Sequence, residues 1–162
     1  MSTSNKQAEL IFHLNTRLFN NALEGITDAQ AKERISDHNN PIIWLAVHTT
    51  WARYNTCGLL GKPPASNPYS GLFENFKAFD PAHDYGTLAA VKAEWEKASA
   101  LLSAALKEVS ADQLAAKAPF TPPIGDDTIY GGVTFLAQHE SYDIGQMAFL
   151  KKYFSKEAMR YK

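Results

Sequence analysis

The sequence contains a single cysteine, Cys57, among its 162 residues. One cysteine excludes an intramolecular disulfide and a metal site of the Cys-x-x-Cys type, and it is typical of proteins from a reducing compartment. Because the neighbours of Cys57 are apolar, we predict that it is a buried spacer in a helix rather than a reactive thiol.

An excess of one charge and a long apolar run are also missing. The formal net charge is -1, and no run of Lys or Arg stands out, which excludes the electrostatic footprint of a nucleic-acid-binding protein. No apolar run approaches the roughly 20 residues of a membrane span, and residues 1–5 lack the apolar stretch of a signal peptide. We therefore expect a cytoplasmic protein with neither a nucleic-acid nor a membrane partner.

The length and the composition favour one domain. At 162 residues with 45% hydrophobic content, the chain is long enough to bury a sizeable core. It is too short to favour two domains. We expect a single domain over residues 1–162.

Apolar residues recur at spacings of three and four in four long segments, which is the pattern of amphipathic helices. The predicted helices run over about 4–23, from Asn39-Asn40-Pro41 to Gly58, over 88–109 and over 130–154. A long connection between the second and third helices permits a crossover. Because no convincing strand alternation is present, the pattern predicts an all-α four-helix bundle.

The helices differ in what their apolar faces contain. In the first, Ile11, Leu14 and Leu18 form a predicted apolar stripe with Phe12 and Phe19 beside it. The third has an uninterrupted heptad seam without a metal-competent residue, so it is predicted to be scaffold.

Polar residues interrupt the second and fourth helices at positions where a bundle would place apolar side chains. His48 lies at the centre of the second helix, between Trp44 and Trp51, and His139 and Asp143 lie one turn apart in the fourth. Each polar residue at such a position forfeits roughly 1.5–3 kcal/mol of the free energy that burial of an apolar side chain would contribute. Residues four apart on a helix have Cβ atoms roughly 5–6 Å apart, so His139 and Asp143 can reach one ion. Ordinary core hydrogen bonds would satisfy each residue alone, whereas one shared metal ion would satisfy all three and leave a position open.

Two stretches resemble the DinB/YfiT-like family: Leu45-Ala46-Val47-His48, and the segment from His139 to Gln146. The resemblance implies an up-down-down-up four-helix bundle that holds a divalent metal, usually zinc or nickel, through His48, His139 and position 143. The family has His at that last position, whereas this chain has Asp143. Two His and one carboxylate also match the facial triad of non-haem iron, so iron or manganese joins the expected metals. Gln146 matches the trailing Gln of the family and is expected either to orient a ligand or bound water, or to bond within the bundle as a buried amide.

The resemblance also implies a function. Similar proteins include thiol-dependent transferases, and homodimers are common among them. We expect a small-molecule substrate and a metal-dependent S-transferase of the detoxification type that uses a low-molecular-weight thiol. The alternatives are a metal-dependent hydrolase and a non-catalytic, stress-linked binding or dimerising bundle with a weak metal site. The aromatic connection between the second and third helices could supply a dimer interface.

Glu140 is turned about 100° from His139 on the helix and is not assigned as a general base.

Overall fold

The computed structural model describes residues 6–162, and the chain is helical over most of this range. It forms α1 (Lys6–Leu23), α2 (Asp28–Lys32), α3 (Ile42–Leu59), α4 (Leu88–Glu108), α5 (Ala111–Ala115) and α6 (Ile129–Ser155). Within residues 6–162 the only pairing of strand type is an isolated bridge between Lys117 and Thr128. No helix in this range is both long and apolar enough to cross a membrane.

The long helices follow the predicted segments to within a few residues, which is the usual uncertainty of helix ends. The predicted start of the first helix at Ser4 lies outside the described residues. α4 begins after Thr87, whose hydroxyl accepts a hydrogen bond from the backbone N–H of Ala90, as an N-cap does. The short helices α2 and α5 each begin with a capping box, at Thr27 and Ser110.

The predicted start of α3 is wrong by one position. Pro41 is the N-cap residue rather than the first helical residue, and no side chain caps this end. The asparagine cap expected before Pro41 does not form. Asn39 instead uses its side chain in the preceding turn, where it accepts from the backbone N–H of Ser36 and donates to the carbonyl of Asn40.

The predicted apolar stripe of α1 is also wrong in part. Ile11 and Leu14 are 37% and 36% exposed, and the buried face includes Asn15 instead. The Asn15 amide donates to the carbonyl of Ala137 at 3.2 Å and to Ser141 Oγ at 3.1 Å. A polar side chain is therefore buried on the face that packs against α6, and its hydrogen bonds offset the cost of removing it from water.

Contacts between helices give their relative directions. Asn15 of α1 contacts Ala137 of α6, and further along both helices Lys151 donates to the carbonyl of Glu24, so α1 and α6 run in the same direction. In the same way, α3 and α4 are parallel. Tyr54 Oη contacts Glu94, and further along both segments Lys62, just after α3, pairs with Glu108 at the end of α4.

α3 runs opposite to α6. His48 lies beside Asp143, and Arg53, five residues later on α3, lies beside Glu140, three residues earlier on α6. These directions are compatible with the expected four-helix bundle. The connection from α3 to α4 is irregular apart from a 3₁₀ turn at Glu74–Phe76, and it buries Phe73 against the helices.

A buried ion pair joins α3 and α6 in the interior. The Arg53 guanidinium donates to both carboxylate oxygens of Glu140, from Nε at 2.8 Å and from Nη2 at 2.7 Å. Neither side chain is exposed by more than 1%, and the Trp95 ring lies 3.5 Å from the guanidinium carbon. Burial raises the pKa of Glu140, and the Arg53 charge opposes that shift. We call this pair the central ion pair.

Removing one member of the central ion pair should destabilise the fold strongly. Glu140→Leu leaves a buried, unpaired guanidinium, and we expect a loss of about 3–5 kcal/mol in the free energy of unfolding, measured by urea denaturation. The double variant Arg53→Met/Glu140→Leu should lose less than Glu140→Leu alone, because no buried charge remains. The control Glu96→Gln, at an exposed position of α4, should change stability by no more than about 0.5 kcal/mol. Additive losses in the double variant would contradict this account.

Candidate metal centre

The structure brings together the three polar residues that interrupt the apolar faces. His48 of α3 and His139 and Asp143 of α6 each offer one ligand atom, and these atoms lie within 4.8 Å of one another. Among residues 6–162, no other group of three His, Cys, Asp or Glu side chains is placed in this way. We call this group the three-residue cluster.

Asp143 lies at the centre of the cluster. Its side chain is 4% exposed, and its Oδ2 accepts a hydrogen bond from His48 Nδ1 at 2.9 Å. The hydroxyl of Thr49 lies 3.2 Å from the same oxygen, and His139 Nδ1 lies 3.8 Å from it. The carboxylate is therefore fixed by α3 while it faces the second imidazole on its own helix.

His139 Nδ1 is buried, and it makes no hydrogen bond with the described residues. Leaving such an atom unsatisfied costs about 1–3 kcal/mol. Burial lowers the pKa of His139; Asp143 opposes that shift, and His48 adds to it. A lowered pKa favours the neutral imidazole, which is the form that binds a metal.

The residues fit a divalent metal ion. Zinc binds imidazole nitrogen and carboxylate oxygen at about 2.0–2.2 Å, so ligands that share an ion must lie closer together than the present outer limit of 4.8 Å. Rotation of these side chains would have to close that difference. Two imidazoles and one carboxylate suit zinc as well as iron, and the unpaired Nδ1 of His139 has a partner once an ion is shared. The cluster could therefore bind a metal ion.

Aromatic rings enclose His48, as its position between two tryptophans predicts. The Trp44 ring stacks on the imidazole with a centroid distance of 4.8 Å. The centroid of the Trp51 ring lies 5.7 Å from that of the imidazole, and the angle between the two ring planes is 25°. A third ring, from Phe73 of the connection, meets the imidazole edge-on at 5.0 Å. These three rings make one wall of the cluster apolar.

The connection is attached to α3 beside this wall. Backbone N–H groups, first that of Gly71, lower the pKa of the Glu74 carboxyl, and a hydrogen bond from the Trp51 side chain contributes in the same direction. The Glu74 carboxylate is therefore a weak base, and its contact with Trp51 helps to hold the neighbouring Phe73 over His48.

The remaining candidates lie apart from the cluster or beside it. Gln146 is half-buried, and its expected role as an orienting side chain stays a prediction. Glu140, which is not assigned as a general base, belongs to the central ion pair. Cys57 is buried as predicted, and burial raises the pKa of its thiol to about 12.

Sequence reasoning missed two contributors to the site, Phe73 and Thr49. The connection contains several aromatic residues at similar spacing, and nothing in their pattern tells that Phe73 is buried while Phe76 is exposed. Thr49 adjoins His48 in the chain, but a threonine in a helix more often bonds its own backbone, as Thr49 also does to the carbonyl of Leu45.

Comparison with known proteins finds one family. The family model of the DinB superfamily matches residues 11–147, a range that covers more than four-fifths of the chain and includes the whole three-residue cluster. No curated protein and no solved structure matches the chain.

Removing His139 should weaken metal binding strongly without unfolding the protein. Titration of zinc into the chelator-treated protein, followed by calorimetry, should give one site per chain, and His139→Ala should weaken it by about 100-fold or more because one of three ligands is lost. Circular dichroism should show an unchanged helix content.

His38→Ala is the matched control, because His38 is exposed in a turn and does not belong to the cluster. It should bind zinc like the unmodified protein. Equal zinc binding by His139→Ala, or no binding by the unmodified protein, would contradict the assignment.

Proposed function

The chain belongs to the DinB superfamily, and from this premise we propose that it is a metal-dependent S-transferase. In the proposed reaction, the sulfur of a low-molecular-weight thiol forms a bond with an electrophilic carbon of a small-molecule substrate. The thiol proton goes to solvent, and the leaving group departs with its electron pair. We propose that the reaction takes place in the cytoplasm and serves detoxification.

The observation that carries this proposal is the three-residue cluster with its unpaired nitrogen. A site with three protein ligands leaves a coordination position for water or a substrate, as catalytic metal sites do and structural ones do not. Zinc or nickel is the proposed ion, with iron and manganese as alternatives, because the donor set of His48, His139 and Asp143 suits all of them.

The side chains around the cluster would position the reactants. A bound divalent ion lowers the pKa of a thiol and holds the thiolate against an electrophile. His48, His139 and Asp143 would hold that ion, and Thr49 would fix the carboxylate. The wall formed by Trp44, Trp51 and Phe73 excludes water from one side of the cluster and suits an apolar electrophile.

The thiol must come from outside the protein. Cys57 is the only cysteine, it is completely buried, and its raised pKa keeps it protonated near neutral pH. A separate small thiol is therefore part of the proposal.

Available bases favour transfer of a thiol over hydrolysis. Glu140, which follows His139 in the chain, is paired with Arg53. Glu74, which follows Phe73 of the aromatic wall, has a lowered pKa and is a weak base. Activation of water commonly uses a general base with a pKa near the working pH. A thiolate, once formed, needs no base to attack.

A panel of thiols with one test electrophile examines the proposal. Zinc- or nickel-loaded protein is mixed with 1-chloro-2,4-dinitrobenzene and glutathione, cysteine, mycothiol or bacillithiol, and release of chloride with formation of the thioether is followed by absorbance. At least one thiol should react faster than without protein, and His139→Ala should lower kcat/KM by about 100-fold or more.

His38→Ala should retain the rate of the unmodified protein in the same assay. Turnover of esters or amides without any thiol would instead favour the hydrolase. Metal binding without turnover of either kind, or an absence of metal binding, would favour a non-catalytic binding bundle.

We propose further that the protein forms a homodimer through the outer face of α6. Tyr142, Phe149 and Tyr153 are 62%, 67% and 49% exposed there, and their spacing puts them on one side of the helix. Gly145 lies between them, and a side chain at its position would meet no atom of the chain within 4 Å. A second copy could approach closely at this point and cover the rings, which otherwise form an exposed apolar patch.

Substitution of one ring should test this interface. Phe149→Glu should convert a dimer to a monomer in analytical ultracentrifugation, because two carboxylates would be buried against apolar rings. Phe76→Glu, at an exposed position of the connection, is the matched control and should remain dimeric. Loss of the dimer only in Phe76→Glu would place the interface on the connection instead.

A further inference from the structure

A cavity lies between α1 and α4, away from the three-residue cluster. Its volume is about 660 Å³, within the roughly 300–1,000 Å³ of small-molecule sites. None of its lining residues belongs to the cluster or to the aromatic wall around His48. Its apolar walls are formed by Leu10, Phe12, Leu102, Leu106, Val109 and Leu114. We call it the α1–α4 cavity.

The floor of the α1–α4 cavity is polar and already bonded. Arg53 Nη1 donates to Thr16 Oγ1 at 2.7 Å and to Ser99 Oγ at 2.6 Å. Both hydroxyls donate onward to their own helices, to the carbonyls of Phe12 and Trp95. The guanidinium also donates to Glu140 and to the carbonyl of Phe12, so it has no N–H group left to donate to an anion.

The charged groups that could bind an anion lie at the rim of the α1–α4 cavity. Lys6 and Lys107 line the cavity and are exposed, and among residues 6–162 neither has a carboxylate within salt-bridge distance. Thr16 of α1 lies beside Trp95 of α4, and α1 and α4 run in opposite directions, so Lys6 and Lys107 lie towards the same end of the cavity. Glu9 and His13 also line it, and the two lysines outnumber the single acid.

We propose that the α1–α4 cavity binds a small amphipathic carboxylate, with its charge between Lys6 and Lys107 and its apolar body along the leucine-lined walls. The saturated floor at Arg53, Thr16 and Ser99 favours an uncharged inner end. A volume of about 660 Å³ suits a small molecule rather than a helix of a protein partner. This site is independent of the metal ion and of the proposed transferase reaction.

Binding of decanoate, below its micelle concentration, tests the proposal. Calorimetric titration of the full-length protein should show one site per chain, and the uncharged probe decanol should bind about 2- to 5-fold more weakly, as expected for the loss of a surface charge pair. Lys107→Glu should weaken decanoate by a similar factor without changing decanol. Lys92→Glu, on α4 outside the cavity, should change neither.

A variant that fills the cavity separates this site from general apolar binding. Ser103→Trp places a large ring at an exposed lining position and should abolish decanoate binding at unchanged helix content. Ala93→Trp, at an exposed position of the same helix outside the cavity, should bind like the unmodified protein. Undiminished binding in Ser103→Trp, equal binding of decanol and decanoate, or no binding of decanoate to the unmodified protein would overturn the proposal.

Discussion

The packing of α3 against α6 is the constraint on which the rest of the structure depends. The bidentate pairing of Arg53 with Glu140 is possible at only one alignment of the two helices, because both carboxylate oxygens must face the guanidinium in the dry interior. About one turn further along, the same alignment places His48 of α3 beside Asp143 of α6. The structural ion pair and the candidate metal centre therefore share one interface.

This interface also links the two sites inferred from the structure. Arg53 faces Glu140 with one edge and the floor of the α1–α4 cavity with the other. Arg53, which helps to fix the alignment of α3 and α6, thus also lines the α1–α4 cavity. Buried polar networks of this kind specify one arrangement of the helices when all their members are bonded.

Apolar spacing was sufficient to predict the long helices. The seam of α4 is buried from Leu88 to Leu102 as its heptad pattern indicates, and no polar residue competes with it. The same reasoning failed in α1, because it assigns polar residues to the surface. Asn15 is buried there through bonds to α6, and no local pattern could show it, since its partners lie more than 120 residues away.

The candidate site likewise combines residues that spacing predicts with residues that it does not. His48, His139 and Asp143 stood out because they replace apolar residues at helical spacing, and their proximity follows once α3 and α6 pack together. The Arg53–Glu140 pair has no comparable signal, because charged residues in a helix usually face solvent. The position of Phe73 depends on the path of an irregular connection, which side-chain periodicity does not describe.

The hydrogen bond between His48 and Asp143 has a consequence for how the centre would be loaded. It places a proton between His48 Nδ1 and Asp143 Oδ2, and an ion that bound through these two atoms would replace that proton. Uptake of the metal and release of hydrogen ion would then be one event, and acid would compete directly with the metal for the same atoms.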